Sequence, residues 1–150
     1  MASVKLIETN CFTVRFPSKS ANESFARSMA AAFIAQMDPT LDELGDVKTA
    51  VSEAVTNAIV HGYKDRIGDI TMKVRLLEPD TVEIVVADKG CGIPDIPQAR
   101  EPLFTTGGAE RSGMGFTIME SFMDSLRIRS APGKGTSVTM RKRLNTRRYR

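Results

Sequence analysis

The apolar residues of this chain change period part-way along, and that change limits what the backbone can become. Leu44, Val47, Val51, Val55 and Ala58 recur every three or four residues, the spacing of one helix face. From Ile70 the pattern switches. Ile70, Met72, Val74 and Leu76 alternate with Thr71, Lys73 and Arg75, and Val82, Ile84 and Val86 resume the alternation after a turn at Glu78-Pro79-Asp80. This predicts an antiparallel hairpin with one half-buried face. The helix opens at a capping box, Thr40-Leu41-Asp42-Glu43, and stops near Gly62.

The flanks extend the same grammar. Phe12, Val14 and Phe16 predict a strand ending at Pro17, and Ser20-Ala21-Asn22-Glu23 reads as another capping box. It would start a helix with the stripe Phe25, Met29, Ala32, Phe33 and Met37, broken at Asp38-Pro39. Leu126 to Arg129 and Thr136 to Met140 form a second hairpin through Pro132-Gly133-Lys134-Gly135. Between the hairpins runs a glycine- and proline-rich stretch without apparent secondary structure, Lys89 to Ser112, then a helix from Gly113 to about Met123. So long a loop in a compact domain is commonly an active-site lid. With no repeat or linker, residues 1–143 read as one domain and 144–150 as a basic tail.

Chemistry gathers at three places. Glu53, Asn57 and His61 stand at i, i+4 and i+8, on one side of the second helix and largely away from its apolar stripe. Asn57 offers the neutral oxygen that Mg²⁺ accepts beside phosphates and water, although an exposed helical asparagine is commoner. Glu53 is placed to activate a hydroxyl or water, or is a surface carboxylate. His61, beside Gly62, suits a helix C-terminus better than catalysis. Asp88 ends a strand before Gly90 and Gly92. As an acceptor it could take the exocyclic amino group of adenine, where guanine carries a carbonyl; an ordinary turn aspartate is the alternative. This is no dinucleotide fingerprint, because Asp95 replaces the third glycine. Finally, Gly107, Gly108, Gly113, Met114 and Gly115 bracket Arg111 and Ser112, offering helix-start amides and a guanidinium to phosphate. Thr105 and Thr106 line the same lid or are plain loop residues.

The net charge of +3 belongs to the end of the chain. Residues 141–150 hold six of the 21 basic residues and no acid, leaving 15 basic against 18 acidic in the body. A solvated terminus explains this better than nucleic-acid binding, and no interleaved aromatic pattern reads single strands. No apolar run reaches the roughly 20 residues of a membrane span, and the first residues lack a signal peptide's pattern, so a cytoplasmic location is expected. Cys11 and Cys91 form no metal or disulfide pattern and are expected as packed, reduced thiols.

Several of these segments together resemble one superfamily. Glu53-x3-Asn57-x3-His61-Gly62, Asp88-x-Gly90-x-Gly92, the Gly107 to Gly115 segment and Gly135-Thr136 are similar, in order, to the conserved boxes of the GHKL ATPases. Asn22 to Arg27, Val51 to Ala58, Pro102 to Thr106 and Arg111 to Glu120 narrow the likeness to the sporulation anti-sigma-F family, over roughly residues 10–143. The resemblance implies an α/β fold, a two-layer GHKL (Bergerat) sandwich with helices on one face of a mixed, largely antiparallel sheet. It implies ATP and Mg²⁺ binding with ADP as product, inhibition of sigma-F, serine phosphorylation of an anti-anti-sigma factor, and a homodimer. No direct nucleic-acid or membrane contact is implied.

Carried over by position, Glu53 is the base for the partner serine, Asn57 the Mg²⁺ ligand and Asp88 the adenine reader. Gly90, Gly92, Thr105, Thr106, Gly108, Arg111, Ser112, Gly113, Met114, Gly115 and Thr136 complete the nucleotide site. Arg27 is a contact for sigma or the anti-anti-sigma factor. One departure stands out: after the paired threonines, Gly107-Gly108-Ala109-Glu110 is about a residue shorter than the family pattern and lacks its lysine and proline. That leaves Arg111 as the main cationic candidate for phosphate. The related anti-sigma-B kinases share the chemistry, and an ATP-gated binding module without phosphoryl transfer is the rival in kind. A histidine kinase fragment, or a gyrase- or mismatch-repair-type ATPase, fits the boxes less well.

Overall fold

A computed structural model describes residues 5–101 and 115–145. Five strands, β1 (Ile7–Pro17), β2 (Asp69–Glu78), β3 (Thr81–Asp88), β4 (Ser125–Ala131) and β5 (Gly135–Arg143), form one sheet in the order β1-β2-β3-β5-β4. Every pairing is antiparallel, so the sheet is not mixed among the described residues. The helices are α1 (Ala21–Ile34), α2 (Leu41–Asn57), the short α3 (Ile96–Ala99) and α4 (Gly115–Phe122).

Alternation builds the core as expected. Ile70, Met72, Val74, Val82, Ile84 and Val86 point one way and are buried beneath Val47, Val51 and Val55 of α2 and Met119 of α4. Each such side chain contributes about 1.5–3 kcal/mol by leaving water. The opposite face of the sheet is polar, with Lys73, Arg127 and Arg129 exposed.

The capping box at Thr40 is present in full: Glu43 N–H donates to Thr40 Oγ1 (3.0 Å) and Thr40 N–H to Glu43 Oε1 (2.8 Å). The one at Ser20 is not. Ser20 itself has helical dihedrals and its side chain caps nothing, while the Glu23 carboxylate turns to Arg27 at 3.2 Å. The expected α1 stripe holds only in part: Met29 and Phe33 pack against the core. Ala26, Ala30, Ile34 and, beyond the helix, Met37 are buried, whereas Phe25 is 53% exposed and Ala32 lies in solvent. Small alanines let α1 lie close against α2, and bulk on that face would hold it off. The stretch after Asp88 is not wholly irregular either. Asp95 caps α3 by accepting Gln98 N–H at 3.0 Å, and Arg100 pairs with Glu120 of α4. Both cysteines are free as expected but exposed rather than packed.

Candidate nucleotide site

Three elements converge at one end of the sheet. The α-helical ladder of α2 ends at Asn57, and the chain continues for Ala58–Gly62 as a π-helical turn, a local widening that recurs at functional sites. This turn sets Gly62 against the end of β3: a Cβ on Gly62 would lie 2.9 Å from Asp88 Cγ. Beyond Asp88 the backbone doubles back. Gly90 donates its N–H to Asp88 Oδ1 at 2.9 Å, and a Cβ on Gly90 would stand 2.0 Å from Gly62 O. No side chain fits there. Gly92 follows with φ +78°, a left-handed conformation that glycine adopts without penalty.

Beside this turn lies a cavity of about 190 Å³, lined by Asn57, Asp88, Gly92, Gly115 and Thr136 over an apolar floor that includes Val86 and Val138. Five of the residues singled out from sequence therefore meet in one place. Gly115 begins α4 directly over Asn57, since a Cβ there would lie 3.0 Å from its amide nitrogen. Gly90 stands behind Asp88 rather than on the cavity wall. Thr105, Thr106, Gly108, Arg111, Ser112, Gly113 and Met114 lie outside the described residues.

Glu53 does not share this cavity. It lines a neighbouring groove with Arg27, one helical turn before Asn57. His61 lines the nucleotide-side cavity, and its carbonyl accepts the Cys91 thiol proton at 2.9 Å.

The electrostatics single out Asp88. Burial pushes its carboxyl above the ordinary value of 3.8, against the pull of hydrogen bonds from the Gly90 and Thr136 backbone. It has no ion pair among the described residues. Opposite it, Ser130 Oγ accepts Ile93 N–H (2.8 Å) and donates to Gly135 O (2.9 Å), so the Thr136 hydroxyl, 2.8 Å away, must donate to Ser130. The lone pairs of Thr136 stay available as acceptors.

Tyr63 is a supporting residue that sequence reasoning missed. It is 4% exposed, its hydroxyl donates to Asp69 O at 2.7 Å, and it accepts Lys89 N–H at 2.7 Å. The ring thus ties the residue after Asp88 to the start of β2. Gly68 makes room for it, because a Cβ there would lie 2.3 Å from the ring. Tyr63 follows Gly62 directly in sequence, but no spacing rule announces its distant partners.

The donor set also bears on metal. Among the described residues no three His, Cys, Asp or Glu side chains gather as a metal cluster. One asparagine oxygen in an open cavity suits Mg²⁺, which keeps water and phosphate oxygens in most positions, and would not suit zinc.

Comparison with known proteins places the chain in a family. Residues 16–142 match the family model described as a histidine kinase-like ATPase domain. The anti-sigma F factor of Thermoanaerobacter pseudethanolicus is 55% identical over 139 residues, spanning 92% of this chain and 96% of that one. The anti-sigma F factor of Clostridium beijerinckii is 53% identical over 137 residues, spanning 91% and 96%. A crystal structure of the RsbU and RsbW domains of a Mycobacterium tuberculosis protein superposes with a TM-score of 0.67 at 20% identity, covering 92% of this chain and 33% of that one. A mycobacterial sensor histidine kinase, MprB, gives 0.56 at 18% identity, covering 89% and 99%. These two structural likenesses speak to the fold alone.

Proposed function

The chain belongs to the anti-sigma F factors, a family built on the histidine kinase-like ATPase domain, and on that premise we propose a double role for it. It binds and inhibits the sporulation sigma-F factor. With ATP it also phosphorylates a serine of the anti-anti-sigma factor, acting as a homodimer in the cytoplasm. Among the described residues no helix is long and apolar enough to cross a membrane. The observation that carries the reading is the division of labour along α2: Asn57 faces the cavity that contains Asp88, and Glu53, one turn away, faces a separate groove. A nucleotide and a protein substrate can therefore approach the same helix from two sides.

In this reading Asp88 accepts the exocyclic amino group of adenine, and a guanine carbonyl in its place would meet like charge. Thr136 backs the ring. Asn57 would hold Mg²⁺, whose chemistry is to neutralise the phosphates. Arg111, with the backbone of Ser112, Gly113, Met114 and Gly115, is assigned the γ-phosphate, and Thr105, Thr106 and Gly108 are assigned to nucleotide binding. Glu53 takes the proton from the serine Oγ as the Oγ–phosphorus bond forms. The bond from the γ-phosphorus to its bridging oxygen breaks, and ADP leaves.

The test is incubation of the protein with γ-labelled ATP, Mg²⁺ and the anti-anti-sigma factor, wild type beside Glu53→Ala. Label on a partner serine, lost in the variant while ATP still binds, is the expected result. Nucleotide binding without label in the wild type would replace the kinase by an ATP-gated sigma-binding module. Equal loss of binding and transfer in Glu53→Ala would remove Glu53 as base.

A further inference from the structure

We propose that the serine-bearing segment of the protein substrate lies in the groove between α1 and α2, with an acidic side chain of that segment seated on Lys48. This rests on the kinase reading and says how the substrate is recognised. The groove has a volume of about 290 Å³ and is walled by Arg27 of α1 and by Gly45, Lys48, Thr49, Ser52 and Glu53 of α2. Gly45 keeps one end open, for a Cβ there would meet nothing within 4 Å. The other end is Glu53, and one helical turn farther lies Asn57 in the nucleotide cavity. A chain running along the groove reaches the proposed base at the point nearest the nucleotide.

Charge indicates what kind of chain this is. Lys48 is half-buried and has no ion pair among the described residues, whereas nearby Lys142 is matched by Asp46 at 3.2 Å. Across the groove, Arg27 Nε and Glu23 Oε2 are 3.2 Å apart, yet neither of these buried atoms completes a hydrogen bond. These two charges face each other and their buried atoms offer nothing to an incoming chain, so of the two cations that line the groove it is Lys48 that lacks a partner among the described residues. A half-buried lysine without a counterion favours an incoming carboxylate more than an exposed one would, because water screens it less.

Spacing sets the register. Lys48 and Glu53 are five residues apart on α2, a rise of about 7.5 Å and a rotation of about 140°, so they stand at opposite edges of the groove and the long lysine side chain must reach across it. Alternate residues of an extended segment lie roughly 6.6 Å apart and project to the same side. With the serine at Glu53, an acidic residue two positions away meets Lys48.

The experiment is steady-state phosphorylation of the anti-anti-sigma factor at saturating ATP, wild type against Lys48→Glu, with ATP affinity measured alongside. A rise of about tenfold or more in KM for the protein substrate is expected, with kcat and ATP affinity unchanged. An acceptor whose acidic residue two positions from the serine is changed to lysine should recover much of that loss with Lys48→Glu, which a merely structural defect would not permit. An unchanged KM, or no recovery with the charge-reversed acceptor, overturns the proposal. Absence of transfer by the wild type itself would instead bring down the kinase reading, and this inference with it.

Discussion

Glu83 and Asp88 lie on the same strand, five residues apart, and the protein treats their charges in opposite ways. Glu83, on the polar face of the sheet, is 5% exposed and held between Arg75 (2.7 Å) and Arg141 (2.8 Å), with Arg75 also reaching Glu8 (2.6 Å). Asp88, at the strand's end, has no cation among the described residues. It is gripped by backbone N–H groups and opens on a cavity. The pairing at Glu83 is complete within the chain, so its charge serves the fold. Asp88 has no such cation among the described residues, and its carboxylate opens on the cavity, where the proposed function puts the adenine. A partly buried carboxylate without a cation is costly to keep, and such cost is common at binding sites.

The sharpest way to break this contrast is Asp88→Asn. Loss of a hydrogen bond to a charged acceptor costs about 1.5–3 kcal/mol, roughly 10- to 100-fold in ATP affinity. The preference for ATP over GTP should narrow in the same titration calorimetry experiment, while the melting temperature holds or rises. A variant that kept its full ATP preference would exclude Asp88 as the adenine reader. The counterpart, Glu83→Gln, should do the reverse. It leaves two arginines facing each other and lowers stability by about 1–3 kcal/mol in urea unfolding, with ATP affinity unchanged. A loss of affinity there would mean that the two carboxylates are not separate in function.

Tyr63→Phe probes the scaffold behind Asp88. It keeps the ring that fills the space beside Gly68 but deletes both hydroxyl bonds, to Asp69 O and from Lys89 N–H. Each is worth about 1 kcal/mol. Stability should fall by about that much. ATP affinity should fall several-fold, while kcat at saturating ATP is preserved. A change in kcat with affinity intact would show that Tyr63 does not act through the placement of Asp88.

What could be read in the sequence follows from how local each signal is. The Thr40 capping box and the α2 stripe are decided within one or two turns, and both stand in the structure. Asp88 was legible because a strand ending in a carboxylate before two glycines is a short pattern. Tyr63 was not, since its second hydroxyl partner is Lys89, 26 residues on. Glu83 alternates onto the polar face, so it reads as solvent-exposed; only the register, which sets it opposite both Arg75 and Arg141, buries it. The α1 stripe holds at Met29, Phe33 and Met37 and fails at Phe25 and Ala32, because close helix packing buries the small Ala26 and Ala30 instead. Spacing also put Glu53 and Asn57 on one side of α2, but it could not tell that they open on different cavities.

The smallest effect distinguishes the two carboxylates by sign. For Asp88, burial raises the folded-state pKa above 3.8. The folded state therefore binds the proton more tightly than the unfolded state does, and stability falls as pH rises through the window between 3.8 and the raised value. For Glu83, burial pushes the pKa upward but the hydrogen bonds and charges of Arg75 and Arg141 outweigh it, so the net shift is below 4.5. Its stabilisation is fully present above 4.5 and is lost as pH falls through the lowered value. Urea titrations from neutral to acid pH should thus show two opposite differences from wild type. Any advantage of Asp88→Asn should shrink on acidification through the Asp88 window, and the deficit of Glu83→Gln should shrink only at the lower pH where Glu83 protonates. ATP affinity should weaken through the Asp88 window in the wild type and lose that pH dependence in Asp88→Asn, because an asparagine has no proton to gain. If both variants converged on wild type over the same pH range, Asp88 would be an ordinary paired carboxylate and the contrast along β3 would not hold.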